Sequence, residues 1–294
     1  MINDSQFATK LIRFFAIVLT TFILTSLLSV GIIKLFQTLG ISTVQNIWLE
    51  YIKLALQTVC IFGGAVFINR FFDKETSFQI SPISNIRNQY LLLLGIVTWI
   101  FCIIPVNGLL ELNDNFSFPD KWEAIEATLR NVQRQNEMYL SYILTQKGVF
   151  HFISCTIVIA ILPAIFEEIF FRGYLQQLFY QYTQKKWLSI ITIAVVFSIF
   201  HFDFFAFLPR VLLGVLLGVV FHAARSLWLP ILIHFLNNMA SVLMNKLVDP
   251  IKLNELSDFG LKGYEQVLFG ISFIIVIYMF YFIINKFSPK KSDH

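Results

Sequence analysis

Glu167, Glu168 and Arg172 stand inside an apolar run that begins near Val149. Two adjacent carboxylates and a guanidinium are costly at membrane depth. Charged groups there are rare, face a cavity or a partner, and mark function. Later apolar segments carry three more polar side chains: His201, His234 and Asn238. A carboxylate, two imidazoles and an amide around a water-filled pocket suit hydrolysis. Glu167 takes a proton from water, and that water attacks a carbonyl. One histidine orients the water or protonates the leaving amine. The other histidine and Asn238 donate hydrogen bonds to the developing oxyanion. No serine or cysteine is placed to act as nucleophile: Ser198 precedes His201 by three residues in the wrong direction, and Cys155 lies three turns from Glu167. Zinc is a rival use of the same residues. His201, His234 and Glu167 make a two-His-one-carboxylate ligand set with an open position, although no His-Glu-x-x-His motif is present.

The groups must also be able to meet. If the helix carrying Glu167 and the helix carrying His201 form a hairpin that turns near Gln184, each residue lies 17 positions from the turn. At about 1.5 Å per residue both then sit at the same depth, roughly 25 Å from it. The next hairpin turns near Arg225 and Ser226, and His234 and Asn238 follow at i, i+4 on one helix face. The four groups can therefore line one cavity, expected to open towards the cytoplasm. Glu168 points about 100° away from Glu167, as successive residues of a helix do. It pairs naturally with Arg172 at i, i+4, which leaves Glu167 as the freer carboxylate. His151 and His222 read as packing residues. Gly214 and Gly218 have the small-x-x-x-small spacing that lets helices approach closely.

Composition sets the frame for these groups. The chain has 294 residues, of which 57% are hydrophobic and 14% charged. A soluble domain carries about 25% charge, and several windows here pass the ~18-residue apolar threshold for a span. The expected fold is an all-α polytopic membrane protein of about eight transmembrane helices. Their apolar runs are near 11–36, 51–72, 90–110, 149–182, 187–202, 207–224, 227–243 and 266–287. Residues 1–148 form three helices and a polar connector in which 122–144 reads as a polar helix. Residues 149–245 form the core, and 246–294 a polar loop, a last span and a basic tail. Cys60, Cys102 and Cys155 lie far apart in apolar runs, which excludes a disulfide framework. The net charge of +4 is spread over loops and termini and gives no nucleic-acid signal. Lys10, Arg13, Arg70, Lys74, Arg87, Lys185, Lys186, Arg225, Lys290 and Lys291 all fall on the side shared by the termini. The bias of Lys and Arg towards cytoplasmic loops puts both termini in the cytoplasm.

Three motifs carry a resemblance. They are Glu167-Glu168-x-x-x-Arg172 followed by Gly173, Phe197-x-x-x-His201, and His234-x-x-x-Asn238 approached through Ser226-Leu227-Trp228-Leu229-Pro230. In this order, on successive apolar segments, they resemble the CAAX prenyl protease and bacteriocin-processing (Abi) family of intramembrane endopeptidases. The resemblance spans about 149–243. It implies an eight-helix protease in which Glu167 activates water. His201, His234 and Asn238 would position that water and stabilise the oxyanion, with Glu168 and Arg172 in support. Such proteins were long described as metalloproteases and are now treated as glutamate proteases, so no cofactor is expected and Zn2+ is the alternative. The implied partners are the lipid bilayer and a peptide or protein substrate at the membrane. Eukaryotic members act on prenylated proteins, and bacterial relatives are linked to bacteriocin maturation or self-immunity. The Phe-, Ile- and Lys-rich composition suits a bacterial cytoplasmic membrane. A rival of another class is a membrane immunity or scaffold protein that binds a peptide without cutting it.

Overall fold

The computed structural model describes residues 2–43, 46–73, 86–247 and 263–287, with nine helices among them. They are α1 (Asp4–Thr38), α2 (Ile47–Phe72), α3 (Ile86–Asp114), α4 (Glu123–Leu144), α5 (Val149–Thr183), α6 (Lys186–Ile199), α7 (Phe207–Ala224), α8 (Trp228–Leu247) and α9 (Tyr264–Phe287). The chain is an all-α polytopic membrane protein. Six of these helices are long and apolar enough to cross a bilayer: α1, α2, α3, α5, α7 and α9. The other two expected spans are helices that fall short of that measure. α6 has only 14 residues, and α8 carries His234, Asn237, Asn238 and Asn245 along 20 residues. The polar loop from 248, Lys74, Lys290, Lys291 and His294 lie outside the described residues, as does the Arg87 side chain.

Helix starts and stops follow local chemistry. Asn3 and Gln6 form a reciprocal capping box at the start of α1, satisfying two backbone donors that the first turn leaves unpaired. The α5–α6 hairpin turns at Gln184 (φ 53°) and the α7–α8 hairpin at Arg225 (φ 51°), both left-handed caps. These are the turn sites expected from the sequence. The α6–α7 connection turns at Phe202 (φ 51°), so α6 ends before His201 and not after it. α5 is one continuous helix, with two stretches, Thr156–Ile161 and Ile169–Gln176, widened to the π pattern. Such widening inside a helix is frequent at functional sites. Glu167 and Glu168 close the short α-helical segment Leu162–Glu168 between the two.

α7 is the central helix. Leu216, Leu217, Val219, Val220 and Ala223 are fully buried against Leu91 of α3, Ile190 of α6, Leu229 and Ile233 of α8 and Ile283 of α9. A second core joins Phe14 of α1 and Ala65 of α2 to Phe170, Phe171 and Tyr174 of α5 and Phe197 of α6. Residues from all three sequence segments thus share cores. Leu24 and Leu27 on α1 and Ile274, Ile277 and Tyr281 on α9 are exposed. On spanning helices that is the surface that meets lipid. α7 reaches its neighbours through glycine: a Cβ on Gly214 would lie 2.9 Å from the Ala194 backbone of α6.

One end of the bundle gathers the basic residues. Lys10 and Arg13 of α1 pair with Asp73 after α2 (3.1 and 3.5 Å), and Lys186 of α6 reaches Asn285 of α9 (3.2 Å). The opposite end carries α4. Its Arg130 lies over the Phe205 ring (4.4 Å), and Phe116 and Phe118 pack on Phe204 in the α6–α7 turn.

Candidate active site

The motif residues come from three helices and one turn. Glu168 is fully buried, and its Oε1 accepts from Arg172 Nη1 (2.8 Å) across one helical turn. Arg172, also fully buried, gives a second bond to the Gly214 carbonyl of α7 (3.0 Å) and sits over the Phe197 ring (4.8 Å). The expected Glu168–Arg172 pair is therefore present, and it ties α5 to α7. The same Glu168 Oε1 lies 2.9 Å from His234 Nδ1 on α8. A carboxylate already accepting from a guanidinium needs a donor there, so His234 holds its proton on Nδ1 and turns Nε2 away. Sequence spacing alone grouped His234 with Glu167. The fold gives its direct bond to Glu168.

Glu167 faces His201. Its Oε2 is buried, has no hydrogen-bond partner among the described residues, and lies 3.9 Å from His201 Nε2. That is too long for a direct hydrogen bond and short enough for one water to reach both atoms. His201 is positioned by its own motif: Nδ1 lies 2.8 Å from the Phe197 carbonyl. A carbonyl only accepts, so this nitrogen also carries the proton and Nε2 is left as an acceptor. The Phe197 ring stands between the two histidines, edge-on to each (4.8 Å to His201, 5.9 Å to His234). This is the packing reason for a phenylalanine four residues before His201.

Asn238 occupies a different position. Its Nδ2 donates to the Ile159 carbonyl (3.2 Å) in the widened turn of α5. Its Oδ1 accepts from Asn237 Nδ2 (3.3 Å), and Asn237 Oδ1 accepts from Trp99 Nε1 of α3 (3.1 Å). The structure brings together Glu167, Glu168, Arg172, His201 and His234, and holds Asn238 one turn beyond His234 by this relay. Among the described residues, no three His, Cys, Asp or Glu side chains are grouped to hold a metal ion. A cavity of about 470 Å³ between α3, α7 and α8 is lined by Trp99, Leu213, Leu216, Asn237 and Ser241, and by none of the motif residues.

Residues 149–240 match the family described as Rce1-like, type II CAAX prenyl endopeptidase Rce1-like. This stretch, about a third of the chain, is similar to that family. It contains all three motifs and lies within the segment whose motifs resemble the CAAX protease and bacteriocin-processing family. Comparison with curated proteins and with solved structures found no match.

Burial differs between the two ends of this core. Towards the basic end of the bundle, Phe170, Phe171, Tyr174, Leu229 and Ile233 are all buried and close the site. Towards the other end, the His201 side chain is 30% exposed and Phe202 is 80% exposed. The exposed part of the His201 turn lies on the side of α4, away from the α5–α6 turn. The short α6 ends level with Glu167.

Sequence reading passed over Asn237, Trp99, Asp203 and Arg210. Arg210 Nη2 bonds Asp203 Oδ2 at 2.9 Å beside the His201 turn. A signal existed for this pair: both charges stand at the join of two strongly apolar runs. Of the two histidines read as packing residues, His151 stacks on Trp48 and His222 stands edge-on to Tyr180.

Proposed function

We propose that this protein is an intramembrane endopeptidase that hydrolyses a peptide bond of a membrane-associated protein or peptide with a water activated by Glu167. The observation that carries the reading is the pair of acceptors, the buried Glu167 Oε2 and His201 Nε2, converging at 3.9 Å with the His201 Nδ1 proton spent on the Phe197 carbonyl. Two acceptors so placed hold a water by its protons and aim its lone pair outwards. Glu167 takes one proton as the water oxygen bonds to the carbonyl carbon, and the carbonyl π pair moves onto its oxygen. Collapse of the tetrahedral species restores the carbonyl and breaks the C–N bond. The amine leaves with the proton that Glu167 took, passed through a histidine. Asn238 has one Nδ2–H left for the oxyanion. Glu168 and Arg172 hold the His234 ring. The Rce1-like match supports the reaction class. The Lys and Arg bias supports termini in the cytoplasm of a bacterial cell.

The test is purified protein in nanodiscs with an internally quenched peptide library. Cleavage by the native chain, absent in Glu167→Gln and undiminished by a strong chelator, is the expected result. Cleavage abolished by the chelator and restored by Zn2+ would replace Glu167-activated water with metal chemistry. Peptide binding without cleavage would favour the immunity or scaffold reading.

A further inference from the structure

The donors at the site do not add up to an oxyanion hole. His201 and His234 each commit Nδ1 to a fixed acceptor, the Phe197 carbonyl and the Glu168 carboxylate, so neither Nδ1–H is free for substrate. Asn238 commits one N–H to the Ile159 carbonyl. One amide N–H remains, whereas oxyanion stabilisation draws on preorganised donors aimed at one point. A second donor has to come from elsewhere in the core.

The register of α5 against α7 shows where. Arg172 bonds the Gly214 carbonyl and Gln176 bonds the Gly218 carbonyl, both at 3.0 Å and both 42 residues apart in sequence. The two helices therefore run parallel in step. One turn earlier the same step sets Arg210 level with Glu168. The charge of Arg210 acts on both Glu167 and His201. Its Nη2 is anchored by Asp203, which in turn receives the Ala206 backbone N–H at the end of the His201 turn. Its Nη1 is buried and has no hydrogen-bond partner among the described residues. A cation in the first turn of α7 is also misplaced with respect to the helix dipole, which favours anions there. Among the described residues its local partner there is Asp203 alone, which takes only Nη2.

We infer that Arg210 is the second oxyanion donor: its free Nη1–H binds the carbonyl oxygen of the scissile peptide bond as negative charge develops there. Asp203 holds the guanidinium still, so no reorganisation is needed at the moment of reaction. The inference rests on the proposed endopeptidase reading and names a residue outside the three motifs. It also explains why the α6–α7 turn is tied down so closely.

The experiment uses a quenched peptide that the native chain cleaves, with the full-length protein in nanodiscs. Arg210→Gln is expected to lower kcat about 100-fold, the scale for loss of one oxyanion donor, with KM within about twofold. Affinity for the peptide aldehyde of the same sequence, whose hydrate mimics the tetrahedral species, is expected to fall in parallel with kcat. Arg210→Lys retains part of the rate, and millimolar guanidinium restores part of it to Arg210→Ala, which a purely structural role would not do. Unchanged kcat in Arg210→Gln, or a loss confined to KM, overturns the inference. Glu167→Gln is run beside these variants. If it cleaves as fast as native protein, the Glu167 reading falls while the Arg210 ratio still decides the donor role.

Discussion

Removing Arg172 should unfold the site more than it disarms it. The guanidinium and the Glu168 carboxylate are both fully buried, and Glu168 Oε1 receives both Arg172 and His234. Arg172→Met takes away one bond to Glu168, one to the Gly214 carbonyl and a cation–π contact with Phe197. It leaves a carboxylate in an apolar interior with only the His234 N–H. Breaking one side of a buried ion pair costs about 3–5 kcal/mol. For a chain of this size 1 kcal/mol moves the midpoint by about 2–4 °C, so the shift is roughly 6–20 °C. Glu168→Gln should cost a similar amount, because it strands the guanidinium. The double variant Glu168→Leu with Arg172→Met removes both charges and should recover most of the loss, since apolar replacement of a whole buried pair is near neutral. The assay is thermal unfolding in detergent, followed by size-exclusion monodispersity, for each single and double variant. Losses that simply add in the double variant would refute the argument, because a coupled pair cannot give additive costs.

Gly214→Ala places a methyl 2.9 Å from the Ala194 backbone and pushes on the carbonyl that Arg172 uses; a loss of about 1–3 kcal/mol is expected in the same unfolding assay. In α4, Glu126 takes the Phe118 N–H and then Arg130, and both hold its carboxyl below the usual range. That support is present above the ordinary carboxylate range and is lost as pH falls through the lowered value. Exchange of the Phe118 amide should therefore accelerate on acidification in native protein and be pH-independent, beyond intrinsic chemistry, in Glu126→Gln. Access is tested by a single cysteine at Phe202 in a background with Cys60, Cys102 and Cys155 replaced. A membrane-impermeant maleimide should label it from the side opposite a reporter at the N-terminus, and labelling from the same side would contradict the fold.

The helices were legible because their signal is local. Apolar length marks the spans, and the turns at Gln184 and Arg225 were found from polar breaks between apolar runs. The Glu168–Arg172 pair was legible from i, i+4 spacing alone. The early end of α6 was not, since Phe200 and Phe202 continue the apolar pattern through a turn that only the left-handed Phe202 backbone reveals. The direct partner of His234 was not legible either. Spacing gives depth, but rotation about the helix axis decides which of two adjacent glutamates it meets. Arg210 was missed because its role depends on the register between α5 and α7, which is set by glycine contacts between helices distant in sequence. The polar helix at 122–144 was found, while its packing on the His201 turn rests on contacts that no local pattern contains.

The central claim is that Glu167 activates water to cut a membrane-associated peptide. The most direct measurement compares peptide termini in membranes from cells carrying the native chain with those from cells carrying Glu167→Gln, each with and without a strong chelator. The account predicts new termini that appear only with the native chain and persist in the chelator. Identical termini in both membranes, with the variant folded and inserted as well as the native protein, would contradict it.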